Sequence, residues 1–114
     1  MKKSGSTSNA RPLMSLQAYQ DRADAANQFK GKPDALIQLR FGLFGEVGGL
    51  LAAVKKSYRD FGTTQQAIVQ EELGDCFWYL TEVSVEYGYT LPEVGAAGLI
   101  ELQRRFSVSS LPST

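Results

Sequence analysis

The chain has no histidine, one cysteine (Cys76), one tryptophan (Trp78) and four prolines, and its twelve basic side chains are balanced by twelve acidic ones. The scarcity of histidine and cysteine and the balance of charge each close a class of function. Without histidine and with a lone cysteine, the chain cannot build a Ser-His-Asp or Cys-His catalytic set, a His/Cys zinc site or a disulfide framework. A formal net charge of zero runs against a duplex nucleic-acid binder, which needs a basic face to neutralise phosphates, but leaves a small phosphorylated ligand open. No apolar run reaches the roughly 18 residues that would suggest a membrane span, and the opening MKKSGSTSNA lacks the apolar stretch of a signal peptide. The expectation is a cytoplasmic protein with no membrane partner, in which any acid-base or metal chemistry falls to carboxylates.

What is present reads as one helical domain. Residues 1–14 are rich in Ser, Gly, Asn and Lys without periodicity and are expected to form a flexible tail, with Met14 as an alternative start. Residues 107–114 read as a second short tail, which leaves residues 15–106 as the domain. Ser15 can cap a helix from Leu16 to about Phe29, ended by Gly31-Lys32-Pro33; Asp34 can cap a long one from Ala35 to about Arg59, stopped by Gly62. Thr64 is the expected cap of a third helix, whose apolar residues from Val69 to Tyr87 recur at steps of three and four before Gly88. Thr90-Leu-Pro-Glu93 has the spacing of a capping box and opens a fourth helix, running to about Phe106. No two-residue alternation occurs, so the fold class is all-α, with short connections favouring antiparallel neighbours in a four-helix bundle.

Two helices carry candidate chemistry. On the third, Glu72, Asp75, Tyr79, Glu82 and Glu86 form a stripe beside the apolar one. Glu72 and Asp75 are one turn apart on one face, a spacing that suits a shared hard cation such as Mg²⁺, and equally a solvated acidic face. On the second, Gly42, Gly45, Gly48 and Gly49 interrupt a helical pattern at about 0.8–1 kcal/mol each relative to alanine. That cost implies a crowded interface or a pocket lining. Glu46 stands among these glycines, and Lys55, Lys56 and Arg59 follow, either complementing the helix dipole or binding phosphate. Trp78 and Tyr87 are expected in the core or a subunit interface, and Cys76 as a small buried hydrophobe.

Taken together, GLFGEVGGLLAAVKK (Gly42–Lys56), EELGDCFWYL (Glu71–Leu80) and AYQDRA (Ala18–Ala23) resemble the MazG-like, all-α nucleoside triphosphate pyrophosphohydrolases, over nearly the whole span from Leu16 to Phe106. The family's signature is E-x-x-E on one helix and E-x-x-D on the next, four carboxylates that hold Mg²⁺ against a triphosphate. The resemblance implies hydrolysis of the α–β phosphoanhydride to a nucleoside monophosphate and pyrophosphate, with Mg²⁺ or Mn²⁺ as cofactor. Carried over by position, Glu46, Glu72 and Asp75 are the catalytic metal-site acids, and Tyr79 matches a position that often lines the nucleotide pocket. Lys55, Lys56, Arg59 and Arg105 are candidate phosphate contacts. The resemblance further implies a homodimer or a dimer of dimers that completes bundle and pocket.

Three positions depart from the pattern. Gly49 replaces the second acid, Gly98 the closing asparagine and Glu101 the closing lysine, whereas Leu102 and Arg105 are retained. Two readings follow. In one, three carboxylates suffice for a pyrophosphohydrolase, with Glu101 as a candidate fourth ligand in the space left by Gly49. In the other, the chain is a degenerate, non-catalytic relative that serves as a ligand-binding or protein-interaction module.

Overall fold

The computed structural model describes residues 12–62 and 65–106. Among these, every regular element is a helix: α1 (Leu16–Ala25), α2 (Ala35–Phe61), α3 (Gln66–Glu86) and α4 (Leu91–Phe106). The all-α class and the count of four helices therefore hold. Thr64, residues 1–11 and residues 107–114, on which the third cap and most of the two tails were expected, lie outside the described residues.

Local chemistry accounts for most of the boundaries. The Ser15 hydroxyl accepts from the Ala18 N–H at 3.1 Å, satisfying one free donor of α1. The capping box of α4 is reciprocal: Glu93 N–H donates to Thr90 Oγ1 at 3.2 Å, and Thr90 N–H donates to Glu93 Oε1 at 2.8 Å. A side chain of α1 adds to this end, since Gln20 Oε1 accepts from the Leu91 N–H at 2.7 Å. Gly62 closes α2 in the left-handed conformation, φ 73°, where a Cβ would be strained.

One boundary and two caps differ from expectation. α1 ends at Ala25, short of Phe29, because Asn27 takes the chain out of the helix: its Oδ1 accepts from Phe29 N–H at 2.8 Å and its Nδ2 donates to Glu82 Oε1 at 2.8 Å. Asp34 occupies the cap position of α2 but makes no backbone cap bond; its carboxylate accepts from the Gln38 side chain at 3.2 Å. At α3 the cap position is Gln65, whose side chain makes no cap bond.

α3 is the hub. α2 packs against α3 alone, while α1 touches α3 and α4. The consecutive helices α1 and α2 are not neighbours, so α3 is the shared element of this all-α four-helix bundle. The inner face of α2 presents Ala35, Leu39, Gly42, Glu46, Gly49 and Ser57, at helical spacing toward α3. The opposite face carries Ile37, Phe41, Phe44, Leu51 and Tyr58, with Phe41 72% and Phe44 82% exposed. The buried set is small and half polar: Ala23, Ala35, Leu39 and Leu91 beside Ser57, Thr81, Glu82 and Ser84. The α3 stripe expected in the core is likewise partly open, with Leu73, Leu80 and Tyr87 exposed.

Candidate metal centre

Antiparallel packing of α2 on α3 sets the register of the site. Gly42 lies against Tyr79, Gly49 against Glu72, and Ala53 and Ser57 share a cavity wall with Ile68. Glu46 falls between the first two pairs and so meets both acids of α3. One carboxylate oxygen from each of Glu46, Glu72 and Asp75 lies within 4.8 Å of the other two. Glu46 and Glu72 are half-buried and Asp75 is exposed.

Three like charges at this separation repel unless something positive joins them. Among the described residues, no lysine or arginine is ion-paired with any of the three. Burial, followed by the charges of Asp75 and Glu72, pushes the Glu46 carboxyl above its ordinary range. Burial, followed by the charges of Glu46, Glu72 and Asp75, raises the Cys76 thiol, so this half-buried group stays protonated and is not poised as a nucleophile. An all-oxygen set with no cation of its own matches the donor chemistry of a hard divalent ion. The cluster can hold a metal ion.

The glycines divide into two kinds. A Cβ on residue 42 would lie 2.1 Å from Tyr79 Cε1, so a close approach requires that glycine. A Cβ on residue 49 would stand 3.6 Å from Glu72 Oε2, which makes position 49 the open edge of the acid cluster. Gly45 and Gly48 meet nothing within 4 Å, so the crowding expected around all four glycines is absent at these two.

The other candidate residues do not all converge. Tyr79 is half-buried, packed on Gly42 and edge-on to Trp78, with ring centroids 5.1 Å apart. Lys56 lines a surface cavity of about 340 Å³ with Ala53, Ser57, Asp60 and Ile68, between α2 and α3. Between Glu46 and Lys55 the helix makes about two and a half turns, which aims Lys55 away from α3. Arg59 is turned away as well and pairs with Asp60, Nε to Oδ1 at 2.9 Å. Glu101 is not part of the cluster. It pairs on α4 with Arg104 and with Arg105 Nη2, the latter at 3.5 Å, and α4 does not touch α2. That ion pair also occupies Arg105. Gly98 lies on α4 in open space.

One acid of the α3 stripe parts from the others. Glu82, a member of the acidic stripe, is wholly buried under α1, near Asp24. The available signal was its position between Leu80 and Val83, on a turn with apolar neighbours on both sides. Trp78 meets α1 as expected of a packing residue, donating its indole N–H to Ala23 O at 3.1 Å. Tyr87 instead is exposed and accepts from Arg40.

The apolar stretch of α2 bears on the expected absence of a membrane span. Within α2, Ala35–Asp60 is long and apolar enough to cross a membrane by length and composition, with a mean hydropathy of 1.3. The charges that interrupt it are too sparse to lower the average over 18 residues. No family model matches the chain, and no curated protein or solved structure matches it either.

Proposed function

We propose that the chain is a Mg²⁺-dependent, MazG-like nucleoside triphosphate pyrophosphohydrolase, releasing a nucleoside monophosphate and pyrophosphate. The observation that carries this reading is the convergence of Glu46, Glu72 and Asp75, from the two segments that bear the resemblance, with no ion-pairing partner among the described residues. Mg²⁺, or Mn²⁺ in its place, would supply charge neutralisation for the triphosphate and a more acidic water. Glu46, Glu72 and Asp75 would hold it, and a carboxylate oxygen left free of ligation would accept the proton of the attacking water. The water oxygen adds to one phosphorus of the α–β bridge, and the bridging oxygen leaves with the other phosphate group. Lys56 would be the cation to meet the distal phosphates, because it lines a cavity between the two helices that carry the acids.

In this reading the chain works in the cytoplasm as a homodimer or a dimer of dimers. The support is the outer face of α2: five large apolar residues lie exposed at helical spacing, and burying each would be worth about 1.5–3 kcal/mol. A second copy suits this face better than lipid, since Glu46 sits in the middle of the apolar window and lipid would bring the acid cluster with it at high cost. Lys55 lies on that same outer side and would be shared with the next copy.

A second reading, a helical module without catalysis, is favoured by one observation, the missing acid at Gly49. A pyrophosphate-release screen over ribo- and deoxyribonucleoside triphosphates with Mg²⁺ or Mn²⁺ separates the two. Activity lost in Asp75→Ala supports the enzyme. Activity found only in Gly49→Glu identifies a decayed one, and no turnover or metal binding in any variant leaves the module.

A further inference from the structure

The most buried turn of α3 is polar. Thr81 and Glu82 are both 0% exposed. The hydroxyls of Thr81 and Ser84 donate to carbonyls of their own helix, Phe77 O at 2.7 Å and Leu80 O at 2.9 Å, so neither serves Glu82. Glu82 Oε1 accepts from Asn27 Nδ2 at 2.8 Å, while Glu82 Oε2 has no donor among the described residues. Across from it, Asp24 Oδ2 takes the Lys30 ammonium, and Asp24 Oδ1 is equally without a donor. Glu82 is wholly buried and Asp24 half-buried, and each thus leaves one buried oxygen unsatisfied, which costs the desolvation of that group.

We propose that Glu82 and Asp24 share one proton, carried on Glu82 Oε2 and donated to Asp24 Oδ1, and that this bond latches α1 and the segment after it to α3. One proton turns two orphaned acceptors into a donor and an acceptor. It also leaves a single negative charge beside the single ammonium of Lys30.

The surroundings place the proton on Glu82. Burial, with Asp24 beside it, pushes the Glu82 carboxyl up to about 7. Lys30 holds Asp24 below the usual carboxylate range. From α1, Tyr19 also faces Glu82, and burial and that charge push its phenol up, keeping it neutral. Glu86, one turn along α3, acts on Lys30. Among the described residues, no charged group of α2 or α4 acts on Glu82, and Arg40 of α2 goes to Tyr87 instead. The folded chain therefore binds one more proton than the unfolded chain between the ordinary glutamate value and about 7. Stability from this group is complete at the acid end of that window and is lost as pH rises through it.

Two readouts on the full chain test the latch. In a carbon-13 titration of carboxyl groups, one glutamate should have a midpoint near about 7, and its signal should disappear in Glu82→Gln. In Asp24→Asn, which removes a charge and supplies a donor, that midpoint should fall toward the ordinary value of about 4.3. If every glutamate of the natural chain titrates in the ordinary range, the proposal is overturned. Trp78, the only tryptophan, bonds to Ala23 O next to Asp24 and reports the seat of α1. Its emission should shift between about pH 6 and about pH 8 in the natural chain. It should stay constant in Glu82→Gln, whose side-chain amide can donate to Asp24 at every pH. Emission that is flat in the natural chain, or unchanged in its pH response by Glu82→Gln, counts against the latch.

Discussion

The ring of Tyr79 fills the space that a side chain on residue 42 would need: an added Cβ would stand 2.1 Å from Cε1 and 2.6 Å from Cζ. This contact draws α2 and α3 together one turn from the acid cluster. Gly42→Ala must therefore displace the half-buried ring of Tyr79, and should cost about 1–3 kcal/mol by overpacking. The melting temperature should fall by about 4–8 °C per kcal/mol. In a Tyr79→Ala background the same change should be neutral or stabilising, because alanine is the better helix former. Thermal melts of the two single variants and the double variant close the cycle. Additive effects would mean that the two residues are not in contact.

Removing charge from the acid cluster should have opposite signs with and without metal. Without it, Asp75→Asn relieves repulsion at a partly solvated site and should stabilise the chain by at most about 1 kcal/mol. With Mg²⁺ present, the natural chain should gain melting temperature and Asp75→Asn should gain less, with affinity reduced about tenfold or more. Calorimetric titration and paired melts measure both. A variant that keeps the full Mg²⁺ shift would exclude Asp75 as a ligand.

Position 49 is open on the side of Glu72, 3.6 Å from Oε2. Gly49→Glu should supply a fourth carboxylate at the cluster edge and tighten divalent-ion binding by on the order of tenfold, since affinity follows ligand charge and number. It should also raise pyrophosphate release. The replacement recovers about 0.5 kcal/mol or more of helix propensity, so misfolding is not the expected outcome. Unchanged cation affinity in a folded variant would show that residue 49 does not face the metal.

Phe44, 82% exposed on the outer face of α2, reports on assembly. Phe44→Glu places a charge in the middle of the proposed contact and should shift sedimentation from oligomer to monomer. The loss of burial is about 1.5–3 kcal/mol for each copy. A natural chain that sediments as a stable, folded monomer at micromolar concentration would remove the basis for that contact.

Much of this molecule is legible along the chain because it depends on neighbours three or four residues apart. The caps at Ser15 and Thr90–Glu93, the stop at Gly62 and the pairing of Glu72 with Asp75 one turn on are all of this kind. Glu46 was legible too, as a charge within an apolar helical pattern. The fate of α1 beyond Ala25 was not, since it turns on Asn27 reaching Glu82 fifty-five positions away.

Sequence alone, then, determined the class, the four helices and the restriction of chemistry to carboxylates, because composition and local hydrogen bonding decide those. Tertiary structure decided which helix faces meet. It set the α2–α3 register that gathers Glu46, Glu72 and Asp75 and turns Lys55 away, kept Glu101 on α4 with its own arginines, and left the apolar side of α2 open. It also split one acidic stripe into an open cluster at Glu72 and Asp75 and a buried carboxyl at Glu82. Helical periodicity says that those residues share a side, and only the packing of α1 and α2 against α3 says what each of them faces.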